Sequence, residues 1–337
     1  MGDYEEFERA VNMVIGQVTT FDINSKVQVF EVTIRVLGGL LSAHLYASNP
    51  TLLNGYKLPN YNGELLDLAI DLADRLLPAF QSPTGIPYPR INLRTGLVPG
   101  DTSETCSAGA GSLLLEFGTL SRLTGNPIYE HVAKRAFNEV FKRRSPSTDL
   151  LGNTIDAETG HWTNTITGIG AGIDSFLEYA VKAYILFGEP SYWDVWHTLY
   201  ASVKMYLQDH NKFIYKNINL VTTALATAWI DSLAGFFPGL QVLAGDVESA
   251  IKGHLQYWGI WSTFQMIPER YNYFTGRPEI GFYPVSSRGA AKGLIRGSCG
   301  LSLSSRLIFS IGRRRIRFIS PLGSKYWWTF LIIPKWM

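Results

Sequence analysis

The sequence predicts an all-α fold, an α/α array of helix hairpins that closes on itself as a toroid; an open solenoid of the same hairpins is the alternative. Three observations lead there. Apolar residues recur at steps of three and four through most of the chain, as in VQVFEVTIRVLGGLLSAH at 27–44, which is the period of a helix with one buried face. Two segments, SRLTGNPIYEHVAKRAF and YILFGEPSYWDVWHTLY, both read as helix, G-x-P-x-Y, helix, with Gly125 and Gly188 sixty-three residues apart. Glycine ends one helix and proline enters the next, so the repeating unit is a hairpin with a long return loop. Finally, no alternating strand pattern of note interrupts the series, and 337 residues at 46% hydrophobic content suffice for one large core.

Taken in order, residues 4–18 (YEEFERAVNMVIGQV) form a helix with its acids in the first turns, where the helix dipole favours them. Asn24 or Ser25 is placed to cap the helix over 27–44. A third helix covers about 62–79 and ends near Pro78, after which QSPTGIPYPRINLRTGLVPG is too rich in Pro and Gly to be helical, its IPYPRINL suiting a short strand pair or an extended loop. Helices follow over 107–124 and 128–143, joined by GNP. Beyond the polar connection SPSTDLLGNTIDAETGHWTN come GIGAGIDSFLEYAVKAYILFG and SYWDVWHTLYASVKMYLQD. A last pair reads as LVTTALATAWIDSLAGFFPGLQVLAG, broken at Phe236 to Gly239, and DVESAIKGHLQYWGIWSTFQ.

Charge divides the chain. Twenty Lys and Arg against twenty-eight Asp and Glu leave −8 before residue 280, whereas residues 280–337 carry ten Lys and Arg and no Asp or Glu, or +10. The division reads as a body at 1–284 and a basic tail at 285–337. No nucleic-acid motif accompanies the tail, and no nucleic-acid partner is expected. Met1 leads into an acidic amphipathic opening rather than a signal peptide. No unbroken apolar run reaches about 18 residues, so no spanning helix is expected. Two cysteines do not make a disulfide framework, and Asn49, followed by proline, is no glycosylation acceptor.

Chemistry resides in acids set among apolar or small residues: Glu31, Glu116, Asp174, Glu178, Asp231 and Glu269. Glu31 and Arg35 lie one turn apart and are expected to form a buried ion pair. Asp174 and Glu178 have the same spacing, where like charges repel unless a cation, proton or ligand hydroxyl intervenes. Nearby aromatics (Phe30, Phe176, Tyr179, Trp229, Phe236, Phe237, Tyr271) complete the pattern of a sugar cleft, in which carboxylates accept hydroxyl hydrogen bonds and rings cover the C–H face. Glycoside hydrolysis uses such acids in pairs. HExxH, CxxC, G-x-S-x-G, GxGxxG and P-loop patterns are absent, and His161, in a loop, faces solvent in the simplest reading.

FDINSKVQVFEVTIRVLGGLLSAH, ETCSAGAGSLLLEFGTLSRLTGNPIY, GIGAGIDSFLEYAVKAYILFG, WIDSLAGFFPGLQVLAGDV and IPERYN resemble the class I α-1,2-mannosidases of glycoside hydrolase family 47, within them the ER degradation-enhancing mannosidase-like branch. The resemblance implies an (α/α)7 barrel, of which this chain would hold part, lacking the closing repeats and entered within the first. It also implies an inverting, calcium-dependent enzyme that trims α-1,2-linked mannose from high-mannose N-glycans in the endoplasmic reticulum, with misfolded glycoproteins and the degradation machinery as partners. By the same resemblance Glu31 is the general acid and Asp231 the second essential acid, while Arg35, Asp174, Glu178 and Glu269 line the sugar site.

Two departures qualify what the resemblance implies. The family's RPE, which carries its catalytic base, follows FYP, but here FYP is followed by VSSRGAAKG, and the RPE at 277–279 lies before it. The terminal Thr ligand of calcium has no counterpart, so no metal ligand is assigned in this chain. The acid-free text after Pro284 is expected to derive from a frameshift or a retained intron near Tyr283 to Ser287. Besides hydrolysis, a non-catalytic mannose-glycan or client-binding module and an inactive fragment are the competing expectations.

Overall fold

The computed structural model describes residues 3–279; the expected change of character near Pro284 and the basic tail lie outside them. Helix α1 (Tyr4–Gln17) has Asp3 as its cap, the side chain accepting from Glu6 N at 3.0 Å. Strand β1 (Lys26–Gln28) pairs antiparallel with β2 (Arg90–Asn92), so the next helix starts at Val29, later than its apolar period begins, with neither Asn24 nor Ser25 as its cap. That helix is continuous from Val29 to Ser48 and is built of α2 (Val29–Val32), a π turn (Thr33–Leu37) and α3 (Gly38–Ser48). By length and composition alone it is apolar enough to cross a membrane, a property that the search for an unbroken apolar run missed. Its packing is that of a wall helix, against α4 (Glu64–Leu76) and α6 (Leu114–Thr124).

Three further hairpins follow the α2/α3–α4 unit. Short α5 (Ser107–Gly111) and α6 precede α7 (Ile128–Lys142); α8 (Asp174–Phe187) precedes α9 (Pro190–Ser202); α10 (Phe237–Leu243) precedes α11 (Val247–Phe264). The first helix of each hairpin packs on the first helix of the next, α3 on α6, α6 on α8, α8 on α10, and the second helix lies against its own partner. This gives two layers with one core between them, in which Leu37, Leu72, Leu76, Phe117, Phe137, Phe176 and Phe237 are fully buried. Phe137 stacks on Phe176 at 4.5 Å between ring centres, which ties α7 to α8.

Gly125 and Gly188 do stop their helices, at φ 72° and 69°. A Cβ at either position would meet nothing within 4 Å, so an alanine there is opposed by the left-handed backbone alone. Gly125→Ala or Gly188→Ala is therefore expected to lower stability by about 1 kcal/mol, read as a shifted urea midpoint with unchanged slope.

Two expectations fail in instructive ways. The apolar run before Phe236 is not a helix: β8 (Leu225–Thr227) and β9 (Trp229–Asp231) occupy it, followed by a 3-10 turn (Ser232–Phe236). Phe236 to Gly239 does not break a helix but begins one, with Pro238 in its first turn, where the missing N–H costs nothing. Strands are also commoner than expected. Besides β1 and β2 they are β3 (Glu104–Cys106), β4 (Thr154–Asp156), β5 (Trp162–Asn164), β6 (Ile166–Thr167), β7 (Asn217–Asn219), β8, β9, β10 (Arg270–Asn272) and β11 (Arg277–Pro278). Each has two or three residues, too few for period-two alternation to register. They form β1-β2, β3-β4-β5, β6-β7-β8 and β9-β10-β11 sheets, and because every hairpin turns back on itself, these sheets gather at the end of the array where the first-layer helices begin.

Candidate active site

Of the acids singled out in the sequence, Glu31, Glu116 and Asp174 stand in the first turns of first-layer helices and Asp231 in the strand before one, whereas Glu178 lies within α8 and Glu269 directly precedes β10. Glu31 is in the first turn of α2, Asp174 is the first residue of α8, and Asp231 ends β9 and caps the 3-10 turn. Helix N-termini favour negative charge, so one end of the array collects carboxylates without a chain of neighbouring residues in sequence.

Glu31 pairs with Arg35 Nε as the spacing predicts. The pair is not buried, however: the Glu31 side chain is 39% exposed and that of Arg35 70%. Val29, Thr33 and Leu37 are the buried residues of this first half of the helix, and Glu31 and Arg35, two positions out of step with them, stand at the rim. An ion pair this open contributes little to stability.

Asp174 and Asp231 are the interacting pair. Asp231 Oδ1 accepts from Ala234 N at 2.9 Å and Oδ2 from Ala171 N at 3.2 Å. Burial raises its pKa, opposed by those backbone bonds. Asp174 Oδ1 accepts from Ser175 N at 2.8 Å. Desolvation, then the charges of Asp231 and Glu178, push the Asp174 carboxyl up to about 7, so near neutrality it is divided between its protonated and ionised forms. One turn on, Lys182 Nζ donates to Glu178 Oε1 at 2.6 Å, with the Lys182 side chain only 11% exposed. The repulsion expected of Asp174 and Glu178 is thus relieved by a cation and a proton supplied by the protein itself.

The loop before α8 fits around Asp231 with no room to spare. Alternate glycines face side chains from other loops, Gly168 against Asn217, Gly170 against the Asp231 carboxylate and Gly172 against Asn153, and a Cβ on any of the three would lie far inside van der Waals contact. Asn153 Nδ2 donates to Ala171 O at 2.6 Å and Ala108 N to Gly172 O at 2.9 Å.

Glu269 departs from its expected place. Its side chain is exposed, and it reaches the site through its backbone, whose carbonyl accepts from Ser232 N at 2.9 Å. Arg270, opposite Asp231 in the β9–β10 register, lies 4.1 Å over the Trp229 ring. Several aromatics expected to face sugar are core residues instead: Phe176 and Phe237 are fully buried, and buried Tyr179 donates its hydroxyl to Glu116 Oε1 at 2.8 Å. On a helix packed from two sides, the apolar stripe is taken up by neighbours before any ligand arrives. His161 is exposed, as expected.

Glu116 was visible in the sequence as one of several acids but not as the most deeply placed. Burial raises its pKa to about 7 against the lowering effect of the Tyr179 hydrogen bond and Lys182, and its Oε2 is buried without a hydrogen-bond partner. Only the absence of any other charged residue in LLLEFG hinted at this. As for a metal, calcium takes about six to eight oxygen ligands, and among the described residues no three His, Cys, Asp or Glu side chains come together to supply them. These residues do not by themselves fit the ion.

The glycosyl hydrolase family 47 model matches residues 1–288. Among similar proteins, ER degradation-enhancing alpha-mannosidase-like protein 1 of Schizosaccharomyces pombe is 48% identical over 285 residues, covering 85% of this chain and 36% of the relative. An alpha-mannosidase I of Arabidopsis thaliana is 45% identical over 290 residues, covering 85% and 49%. The chain therefore spans less than half the length of these relatives. Among solved structures, an alpha-1,2-mannosidase from Trichoderma reesei superposes with a TM-score of 0.69 at 24% identity, over 86% of this chain and 63% of that one. At that identity the likeness speaks for the fold, an α/α barrel.

Proposed function

This chain belongs to glycosyl hydrolase family 47, and from that premise we propose that it acts on α-1,2-linked mannose of high-mannose N-glycans, hydrolysing the terminal linkage. The observation that carries the proposal is the Asp174–Asp231 pair at one end of the barrel, joined by the loop that opens α8: Ala171 N donates to Asp231 Oδ2 at 3.2 Å and Asp174 N to Gly170 O at 2.9 Å, and burial raises both carboxyl groups. Hydrolysis with inversion requires one carboxyl group to give a proton to the glycosidic oxygen as its bond to the anomeric carbon breaks. A carboxylate on the opposite face takes a proton from the water whose oxygen forms the new bond. The resemblance gives the donor role to Glu31; burial makes Asp174 the second group able to fill it. Asp231, with both oxygens engaged by backbone N–H groups, is a positioning residue in this reading, as is Arg35 toward Glu31. Glu178 and Glu269 stand at the edges of the site, Glu178 held by Lys182.

Misfolded glycoproteins, the degradation machinery and an endoplasmic reticulum location enter as part of the same proposal, supported by the names of the relatives. Calcium is retained as a family expectation only: when bound it would hold substrate hydroxyls, and no proton transfer above depends on it.

The test is incubation of the purified full chain with a high-mannose glycan in calcium-containing buffer. Free mannose is expected, and Glu31→Gln is expected to suppress its release at least tenfold while glycan binding persists. A native chain that binds the glycan and frees no mannose would overturn hydrolysis in favour of a binding module.

A further inference from the structure

Helix α8 carries a column of charge on one face. Asp174, Glu178 and Lys182 follow one another at spacings of four, one above the other. Tyr179, three residues before Lys182, donates to Glu116 of α6 at 2.8 Å, so a third carboxyl group stands beside the column. The place of the cation is unusual. A lysine on a wall helix ordinarily carries its ammonium out to water along its own stem, yet the Lys182 side chain is 11% exposed, less than the 25% of Glu178, to which it donates at 2.6 Å. A buried pair of this kind returns little net stability, so its presence points to what the charge does for neighbouring acids. The groups that face the column are few. α6 presents Glu116, and β9 presents Asp231, with Arg270 opposite it on β10. Ahead of α5, burial holds the Cys106 thiol in its neutral form. Among the described residues α9 leaves Asp194 and His197 exposed, α10 has no charged residue, and α7, tied to α8 through Phe137, pairs its ions with Arg122, Glu189 and one another.

We propose that Lys182 is a positioning residue of the mannose-releasing reaction: its ammonium pins the Glu178 carboxylate one turn on from Asp174, and its charge governs the proton that Asp174 exchanges with substrate. This role rests on the hydrolytic reading above. The cluster of Asp174, Glu178 and Glu116 titrates as a set, because charge on one member opposes ionisation of the others. Lys182 is the cation that faces Glu178 and Glu116 from within α8. Without it the set keeps a proton to higher pH, and Asp174, whose carboxyl burial already raises, is the group that keeps it. The effect is one of charge, so removal of the Glu178 charge acts in the opposite sense, and removal of both charges together cancels.

The test compares the native full chain with Lys182→Met, Lys182→Arg, Glu178→Gln, and Glu178→Gln combined with Lys182→Met. Two quantities are followed as pH is raised: the kcat/KM of mannose release, and the protonated-carboxyl band of Asp174 in isotope-edited infrared difference spectra, assigned with Asp174→Asn. In Lys182→Met the band and the alkaline limb of kcat/KM are both expected to move up by about one pH unit or more, a tenfold change in proton affinity. Glu178→Gln is expected to move them down, while Lys182→Arg and the double variant keep the native midpoints. A folded Lys182→Met chain with native midpoints would overturn the proposal, as would a double variant displaced as far as the single one, since lost packing rather than charge would then be the cause. Should Lys182→Met fail to fold, the step from Glu178→Gln to the double variant reads the same charge in a chain with no orphaned carboxylate, and a step that is not upward would overturn it equally. Displaced bands in chains that release no mannose would leave the assignment of Lys182 to the Asp174 proton standing and overturn hydrolysis instead.

Discussion

Mannose release by the Asp174→Asn chain is expected to fall about 10²- to 10⁴-fold below native, the usual magnitude for loss of a positioned proton-transfer group. Asparagine keeps the shape of the side chain and the oxygen that accepts from Ser175 N, so the first turn of α8 should stand. What it cannot do is carry a proton to or from substrate. The native carboxyl is raised to about 7 by burial and by the charges of Asp231 and Glu178. If its proton is the one delivered, native activity declines as pH rises through about 7, and the residual activity of Asp174→Asn lacks that limb. Initial rates from pH 5 to 9, with a thermal melt of each chain at every pH, check both halves. An asparagine variant that releases mannose at the native rate would remove Asp174 from the chemistry.

Glu116→Gln is expected to stabilise the protein at pH 8 by about 3 kcal/mol, the free-energy equivalent of a carboxyl moved from 4.5 to about 7. The sign follows from proton uptake. The folded-state pKa lies above the unfolded one, so the native protein binds the extra proton between pH 4.5 and 7. The stability linked to that proton is complete below 4.5 and is lost as pH rises through 7. Above that, a charge sits in the core with its Oε2 unpartnered. Glutamine is neutral throughout and still offers an oxygen to the Tyr179 hydroxyl. Urea midpoints of the two chains should therefore coincide near pH 4.5 and separate by pH 8. Coincidence at pH 8 would mean that Lys182 compensates the Glu116 charge in full.

Much of this architecture was legible because helices announce themselves. Gly125 and Gly188 ended their helices where the spacing said they would, and the long apolar faces of α4, α8 and α11 fell in their expected segments. Legibility failed where three residues decide the structure. Strands β8 and β9 took an apolar stretch that reads equally well as helix, and Pro238 opened the helix it was expected to interrupt. In the candidate site the spacing of Glu31 and Arg35 gave their pairing but not its exposure, since which face of that helix is covered depends on its neighbours. Depth distinguishes Glu116, and depth is a property of packing: nothing in LLLEFG states that both α3 and α8 will close over it. Likewise the aromatic residues were countable in the sequence, whereas their division between the core and the open end depends on which side of each helix a neighbour covers.

The glycine-lined loop at 168–172 has a consequence for how the molecule comes apart. Repeat arrays that touch only their nearest neighbours can lose one unit at a time. Here Gly168, Gly170 and Gly172 admit side chains from the segments that precede α10 and follow α7, so three hairpins are keyed together at one end by a strip of backbone in which every second residue has no side chain. Withdrawal of the strip leaves Asp231 without the Ala171 amide, Asn153 without the Ala171 carbonyl and Asn217 without its seat against Gly168. The hairpins from α5 to α11 should consequently melt as one cooperative unit, with amide exchange in α6, α8 and α10 sharing a single opening free energy, and a barrel assembled from repeats would behave in this region as an indivisible domain.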